Sequence, residues 1–131
     1  MNFKNKVIVI TGASSGIGEA SAIKFAKKNA KIVLVARRKE KLLQLQKKLT
    51  KFTDSTLVCQ CDVSNKTQVK EMTDIVLDTF GRIDVLINNA GFVIYGKVSE
   101  LSIEEIESQM ETNYFGMIYC TKNFLPHMIE Q

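Results

Sequence analysis

Long apolar runs and paired cysteines are both absent from this 131-residue sequence. No run approaches the roughly 18 apolar residues that span a membrane, and VIVI after Lys6 is too short for the core of a signal peptide. Cys59, Cys61 and Cys120 are odd in number and have no metal-ligand or disulfide spacing, which indicates a reducing compartment. The single histidine, His127, is interpreted as a surface residue at a helix end. The sequence therefore predicts a cytoplasmic protein without a membrane partner or a metal site.

Charge is not concentrated in one patch either. The net charge of +4 would suit nucleic acid, but the lysines are spread along the polar faces of the predicted helices, which favours solvated surfaces. The hydrophobic fraction of 45% and the charged fraction of 24% are those of an ordinary globular chain. We therefore expect one domain over residues 1–131 and no nucleic-acid partner.

Apolar periodicity predicts strands that alternate with helices. Four short apolar runs predict strands at Lys6–Thr11, Lys31–Ala36, Ser55–Cys61 and Asp84–Asn89. Between them, apolar residues at helical spacing predict three helices, with stripes formed by Ala20, Ile23, Phe25 and Ala26, by Leu42, Leu45 and Leu49, and by Val69, Met72, Ile75 or Val76, and Phe80. Asn29 and Gly81 suit the left-handed ends of the first and third helices. A capping box of Ser102 and Glu105 predicts a last helix through Asn113 towards Pro126.

Strands and helices at this spacing require right-handed crossovers between parallel strands. The pattern predicts an α/β fold, a Rossmann-like doubly wound parallel sheet with strand order 3-2-1-4 and helices on both faces. The first strand then lies inside the sheet, with a crevice at its carboxyl end.

The segment TGASSGIG, Thr11 to Gly18, falls at that crevice. A strand, a glycine-rich turn and a helix in succession direct unpaired backbone N–H groups and the positive end of the helix dipole at one spot, which suits a pyrophosphate. Gly12 permits the tight turn, and Gly16 and Gly18 allow the backbone to approach a ligand and the helix to pack on the strand. The context predicts a nucleotide site, with a glycine-rich loop that binds nothing as the alternative.

Four motifs together resemble those of the classical short-chain dehydrogenase/reductase family. They are TGASSGIG, CDV at Cys61–Val63, NNAG at Asn88–Gly91 and ETNYFG around Asn113, in the order and at the spacing of that family. The resemblance runs from Lys6 to about Met128 and covers the N-terminal, cofactor-binding half of such an enzyme. It implies an oxidoreductase that moves a hydride between a nicotinamide cofactor and a carbonyl or alcohol substrate.

The resemblance also implies two sets of cofactor contacts. The phosphates and ribose would be held by Gly12, Ser14, Ser15 and Ile17. The adenine would contact Asp62 and Val63, and the crevice wall near the cofactor ribose would consist of Asn89, Ala90 and Gly91. The alternative for Asp62 is a turn or N-cap residue ahead of the third helix, and Asn88 and Asn89 could likewise be plain turn residues at a strand end.

The end of the second strand predicts the cofactor. An NAD-binding enzyme usually places Asp or Glu about 20 residues beyond the glycine motif, where this chain reads VARRKE. Ala36 removes a carboxylate that would repel a phosphate, and Arg37 supplies a planar fork of donors that matches one. Arg38 is a second candidate, and a plain surface arginine pair is the alternative. The predicted cofactor is therefore NADP.

Catalytic residues are scarce in this chain. The resemblance implies that Asn113 corresponds to the catalytic asparagine of the family, which would interrupt its helix and hold a water in a proton relay; a simple helix kink is the alternative. The family's serine and Tyr-x-x-x-Lys pair have no counterpart in the 131 residues. Tyr119 and Lys122, in YCTK, are three positions apart rather than four, and the resemblance implies a packing or subunit-contact surface there. YCTK is therefore interpreted as a coincidence.

By the same resemblance, the chain stops just before a fifth strand that would lie beside the fourth, so the fold is expected to be truncated. The fourth strand would then be an exposed edge, and self-association or a partner chain is expected. Three functions remain: an NADP-dependent oxidoreductase represented by its cofactor half and inactive alone, a noncatalytic nucleotide-binding module, or a fragment that serves only association. Only the apolar segment Phe92 to Tyr95 is expected to touch a substrate.

Overall fold

The computed structural model describes residues 2–131 as a parallel sheet with helices on both faces. The strands are β1 Val7–Thr11, β2 Lys31–Ala36, β3 Thr56–Gln60 and β4 Val85–Ile87. The helices are α1 Gly16–Ala26, α2 Lys39–Leu49, α3 Lys66–Phe80, α4 Ile103–Met110 and α5 Gly116–Glu130, with a π-helical turn at Glu111–Phe115 joining the last two. The sheet order is β3-β2-β1-β4, and all three pairings are parallel. The predicted fold class and strand order are confirmed.

Alternate residues of the central strands build two separate cores, as expected when a parallel sheet is covered on both faces. Val7 and Val9 of β1 pack with residues of α3 and α5, such as Val69 and Phe124. Ile8 and Ile10 pack instead with residues of α1 and α2. That second core includes the predicted stripe of α2, formed by Leu42, Leu45 and Leu49. The sheet therefore holds β1 at its centre, with its carboxyl end open between the two helical layers.

The buried face of α1 differs from the predicted stripe. Ala20 is exposed, and the buried residues are Gly18, Ala22 and Ala26, which lie four positions apart. These small residues let the helix lie close to the sheet, whereas the larger Ile23 and Phe25 are only half-buried at its margin. Of the predicted stripe, Ala26 is buried and Ile23 and Phe25 pack against the core, so only Ala20 was wrong.

The predicted helix ends are confirmed. Asn29 and Gly81 have left-handed backbones, with φ of 59° and 68°. Ser102 and Glu105 form both hydrogen bonds of the capping box at the start of α4. In α3 the buried position is Val76 rather than Ile75, which is exposed.

Strand β4 is an edge of this sheet, as predicted. Among residues 2–131 it pairs only with β1, and Val85, Leu86 and Ile87 are each half-buried. Within residues 2–131, no helix is both long enough and apolar enough to cross a membrane.

Asp84 joins the amino ends of β1 and β4. Its carboxylate accepts hydrogen bonds from the Val7 backbone N–H and from Lys6 Nζ, each at 2.9 Å, and from Arg82 Nη2 at 2.6 Å. Burial alone would raise the pKa of Asp84, but the hydrogen bonds from Arg82, Val7 and Lys6 outweigh burial and lower its pKa to about 2. The charged form of this carboxylate therefore stabilises the pairing of β1 with β4.

Acid should weaken the fold through Asp84. Because the folded pKa of about 2 lies below the ordinary value of 3.8, the stabilisation is complete above about pH 5 and is lost progressively as the pH falls through 3.8 towards 2. We expect Asp84→Asn to lower the free energy of unfolding at pH 7 by about 2 kcal/mol and the difference to shrink towards pH 2. Urea titrations of both chains at several pH values would measure this difference.

Asp74→Asn is the matched control, because the ion pair of Asp74 with Lys70 is exposed on α3 and such pairs contribute little. An Asp84→Asn chain that loses stability with acid as steeply as the wild type would contradict the assignment.

Candidate functional site

Hydrogen bonds from Thr11 join the carboxyl ends of β1 and β4. Its buried Oγ1 accepts from the backbone N–H groups of Asn89 and Ala90, both at 3.0 Å, and donates to the Ile87 carbonyl oxygen at 3.3 Å. The Asn89 side chain adds two hydrogen bonds between the same segments: its Nδ2 donates to the carbonyl oxygens of Thr11 and Gly12 at 3.0 and 3.2 Å. The segment after β4 is therefore held against the glycine-rich turn after β1.

Two glycines of the turn are required by close backbone packing. A Cβ atom on Gly12 would lie 2.8 Å from the Ala90 Cα, and one on Gly18 would lie 2.3 Å from the Gly12 carbonyl oxygen. Gly16 differs, because a Cβ there would meet nothing within 4 Å, although its φ of 56° is left-handed. The turn thus packs tightly on one side and is open at Gly16.

The amino end of α1 lacks a side-chain cap. Ser15 occupies the N-cap position, but its side chain makes no capping hydrogen bond within the part of the chain described. The Ser15 hydroxyl instead accepts a hydrogen bond from Arg38 Nη2 at 3.1 Å, and the Ser14 hydroxyl accepts one at 2.9 Å. The first backbone N–H groups of α1 are therefore left to water or to a ligand, which is the arrangement that suits a bound phosphate.

A cavity of about 390 Å³ lies over these groups, at the carboxyl ends of the strands. It brings together ten of the predicted cofactor-binding residues: Gly12, Ser14, Ser15, Arg37, Arg38, Asp62, Val63, Asn89, Ala90 and Gly91. Gly16, Ile17 and Gly18 form the first turn of α1 and do not line the wall, and neither does Asn113. Thr112 also lines the cavity and was not predicted; its position beside Asn113 in ETNYFG was the available signal.

Asp62 has the turn role that was the alternative for it. Its Oδ1 accepts from the Ser64 backbone N–H at 3.0 Å and from the Ser64 hydroxyl at 2.7 Å. The N-cap of α3 is Asn65, whose side chain accepts from the Gln68 N–H. Since Asp62 also lines the cavity, its turn role and a ligand contact are compatible.

The two arginines differ in what they contact. Arg38 reaches across to Ser14 and Ser15, whereas the exposed Arg37 contributes its backbone carbonyl oxygen to a hydrogen bond from Gln60 Nε2 at 3.0 Å. Neither arginine forms an ion pair with any residue of the described range 2–131. Two positive charges without an ion-pair partner in residues 2–131 therefore stand at the β2 end of the cavity, which Asp62 also lines.

The cysteines do not supply a nucleophile. Cys61 lines the cavity, but burial, with smaller effects from Cys120 and Asp62, raises the pKa of its thiol to about 12. Burial also raises the pKa values of Cys59 and Cys120 to about 11. All three stay thiols at neutral pH and contribute to packing. Within residues 2–131, no group of three or more His, Cys, Asp and Glu side chains is placed to hold a metal ion.

Asn113 lies in the π-helical turn, which confirms the predicted interruption of the helix. Its amide forms a pair of hydrogen bonds with the backbone of Phe92: Nδ2 donates to the carbonyl oxygen at 2.7 Å, and Oδ1 accepts from the N–H at 2.9 Å. A Cβ on Gly91 would lie 3.0 Å from the same Oδ1. The Asn113 side chain thus positions the segment after β4. Its predicted role of holding a water in a proton relay stays a prediction.

Tyr119 and Lys122 do not approach the cavity wall. The Tyr119 ring is half-buried on α5, where Lys66 Nζ lies 5.1 Å from its centroid and Phe115 stacks at 6.1 Å. Lys122 is exposed, as is His127 near the end of the same helix. The geometry favours the packing interpretation of YCTK.

The family model of the short chain dehydrogenase matches residues 6–131. The chain therefore belongs to the short-chain dehydrogenase family, and its relatives are oxidoreductases.

Relatives of known sequence and structure agree with this assignment. An uncharacterised oxidoreductase of Staphylococcus aureus strain USA300 is 41% identical over 127 residues, which are 97% of this chain and 54% of that protein. L-sorbose reductase from Gluconobacter frateurii, complexed with NADPH and L-sorbose, has a TM-score of 0.92 at 35% identity over 98% of this chain and 50% of that one. A 3-ketoacyl-(acyl-carrier-protein) reductase from Brucella melitensis, complexed with NADH, has a TM-score of 0.92 at 32% identity over 98% and 52%. The chain thus spans about half the length of these relatives.

Removal of the Thr11 hydroxyl should open the site and destabilise the fold. In Thr11→Val the N–H groups of Asn89 and Ala90 lose their acceptor, and each buried unsatisfied group costs about 1–3 kcal/mol. We expect a loss of about 2–4 kcal/mol in the free energy of unfolding, measured by chemical denaturation.

Thr73→Val is the control for this change. The Thr73 hydroxyl is also buried, but it only donates to the Val69 carbonyl oxygen within α3, so its loss leaves no N–H unpaired. Equal losses in the two variants would contradict the account of Thr11.

Proposed function

We propose that residues 1–131 are an incomplete NADP-binding Rossmann domain, the cofactor half of an oxidoreductase that acts on a carbonyl or alcohol substrate. The observation that carries the proposal is that the uncapped end of α1 meets, in one cavity, two arginines that have no ion-pair partner in residues 2–131. A phosphate-rich dinucleotide needs both features: N–H donors for the pyrophosphate and a cationic site for the ribose 2′-phosphate.

The cavity residues fit NADP on chemical grounds. The Gly12 turn and the start of α1 would bind the pyrophosphate, and Arg37 with Arg38 would bind the 2′-phosphate. Asp62 and Val63 would contact the adenine, and the wall from Asn89 to Gly91 would lie along the cofactor ribose. Ile17, Gly16 and Gly18 would act through the first turn of α1.

The choice of NADP over NAD rests on this chain's own residues, because the similar structures include one with NADPH and one with NADH. Ala36 at the end of β2 carries no carboxylate to bind a ribose 2′-hydroxyl. The Arg38 contacts with the two serine hydroxyls hold a guanidinium beside the glycine-rich turn.

Catalysis would need groups beyond the residues that bind the cofactor. NADP(H), when bound, would take or supply the hydride, and the residues of this chain would bind and orient the cofactor. Asn113 is the one proposed catalytic residue, through a water it would hold near the π-helical turn. The chain contains no Tyr-x-x-x-Lys pair to serve as a proton donor, so we propose that it is inactive alone.

We also propose that the chain associates with itself or with a partner chain, and that it is cytoplasmic. Support for self-association or a partner chain comes from large apolar side chains that are exposed along α4, the π-helical turn and α5: Ile103, Met110, Tyr114, Met117 and Leu125. Support for a cytoplasmic location comes from three cysteines that are free and buried.

The chain should bind NADPH more tightly than NADH. Hydrogen bonds to a charged group contribute roughly 1.5–3 kcal/mol, so we expect a preference of about 10- to 150-fold. Arg37→Asp should reverse the preference, because it replaces a phosphate partner with an acceptor for the 2′-hydroxyl. Titration by cofactor fluorescence would measure the four dissociation constants.

Lys41→Asp is the matched control, since it makes the same charge change on the exposed face of α2 outside the cavity. It should leave the preference for NADPH in place. Equal affinities in the wild type, or the same shift from Lys41→Asp, would contradict the assignment of Arg37.

The 131-residue chain alone should not turn over carbonyl or alcohol substrates at an enzymatic rate. A positioned general acid or base is worth roughly 10²–10⁴-fold, and no tyrosine, lysine or histidine of residues 2–131 lines the cavity wall. NADPH absorbance would be followed with a panel of aldehydes, ketones and quinones, and compared with Tyr119→Phe. Robust turnover that Tyr119→Phe abolishes would instead make YCTK the catalytic pair.

A further inference from the structure

The segment that follows β4 carries no regular secondary structure from Asn88 to Lys97, yet its side chains alternate as in a strand. Phe92 and Ile94 are half-buried, while Val93 and Tyr95 are 56% and 89% exposed. Backbone groups of such a segment need hydrogen-bond partners from elsewhere in the fold. Two side chains of the neighbouring helix supply them.

These two side chains lie four positions apart on consecutive turns. Asn113 binds the backbone of Phe92, and the Gln109 Oε1 accepts from the Ile94 N–H at 2.9 Å. The two anchors therefore hold alternate residues of the segment, as the backbone of a neighbouring strand would.

The Gln109 amide is itself oriented. Its Nε2 donates to the Glu105 carbonyl oxygen at 3.2 Å, so its oxygen is directed at Ile94. Glu105 is fixed in turn by the capping box, in which its carboxylate accepts from the Ser102 N–H at 2.8 Å. A chain of contacts thus runs from the start of α4 through Gln109 to the segment beside the cavity.

We propose that Gln109 is a positioning residue for the site: beyond the Asn113 anchor at the wall residue Phe92, it fixes Ile94, so that Val93 and Tyr95 stay available to a substrate. This assignment rests on the proposed cofactor function of the cavity. Asn113 holds only Phe92, so without Gln109 the segment beyond Phe92 loses its anchor to α4. The effect should be confined to the β4 end of the cavity, away from Arg37 and Arg38.

The test compares Gln109→Met, which keeps the length of the side chain and loses the acceptor, with Gln109→Glu, which keeps an acceptor for Ile94. Gln44→Met makes the same chemical change on the exposed face of α2 and is the control. Amide hydrogen exchange of Ile94 would be measured by NMR. Affinities would be measured for NADPH and for 2′,5′-ADP, which contains only the phosphorylated adenosine end.

In Gln109→Met we expect the Ile94 amide to exchange about 10-fold faster, as the loss of one hydrogen bond implies. NADPH should bind roughly 3- to 10-fold more weakly while 2′,5′-ADP binds as before, since the adenosine end of the cavity is not touched. Gln109→Glu should restore the slow exchange, and Gln44→Met should match the wild type.

Unchanged Ile94 exchange in Gln109→Met, or equal weakening of both ligands, would overturn the assignment. So would a Gln109→Glu chain that behaves like Gln109→Met. If the wild-type chain binds neither ligand, the proposed cofactor function fails, and the exchange of Ile94 alone then decides whether Gln109 positions the segment.

Discussion

The pairing of β4 with β1 is the constraint on which the site depends. Strand β4 has only three residues, and its register with β1 runs from Ile8 and Val85 to Ile10 and Ile87. So short a strand gains little from its own ladder, and side-chain hydrogen bonds hold it at both ends. Asp84 binds the Val7 N–H at the amino end, and Thr11 binds the N–H groups after Ile87 at the carboxyl end.

The carboxyl-end contacts also shape the cavity. Because Thr11 holds Asn89 and Ala90, the Ala90 backbone comes so close to Gly12 that a side chain there is excluded. The backbone is also tightly packed where α1 meets the turn, because Gly18 packs on the Gly12 carbonyl oxygen and leaves no room for a side chain. The cavity wall, the turn and the start of α1 are therefore one packed unit. A change in any of them should alter the affinity of the cavity for a ligand.

Local patterns predicted most of the fold. The alternation of apolar strands and helices was enough to predict a parallel sheet covered on both faces, because strand–helix–strand crossovers are right-handed, and the Leu42, Leu45 and Leu49 stripe was predicted correctly. Ala20 was misplaced because the contact of α1 is made by small residues, which hydrophobicity does not distinguish from exposed ones. The glycine motif and the strand ends predicted where the cavity residues would meet, since parallel strands end at one edge of the sheet.

The long-range side-chain contacts could not be predicted. Arg38 with Ser14 and Gln109 with Ile94 join residues 24 and 15 positions apart, and no local pattern encodes such a pair. Asn113 was predicted to interrupt its helix and to hold a water, but its contact with Phe92, 21 positions away across the fold, was not predicted. These contacts follow from the tertiary structure, and they determine the detailed shape of the site.

The most direct test of the account is an NMR titration of the isotope-labelled chain with NADPH, following the backbone amide of every residue. We expect one saturable site, with the largest shifts at residues 12–18, 37–38, 62–63 and 89–91 and small shifts on α4 and α5. Large shifts confined to α4 and α5, or none anywhere at millimolar NADPH, would contradict the claim that the cavity at the end of β1 is a dinucleotide site.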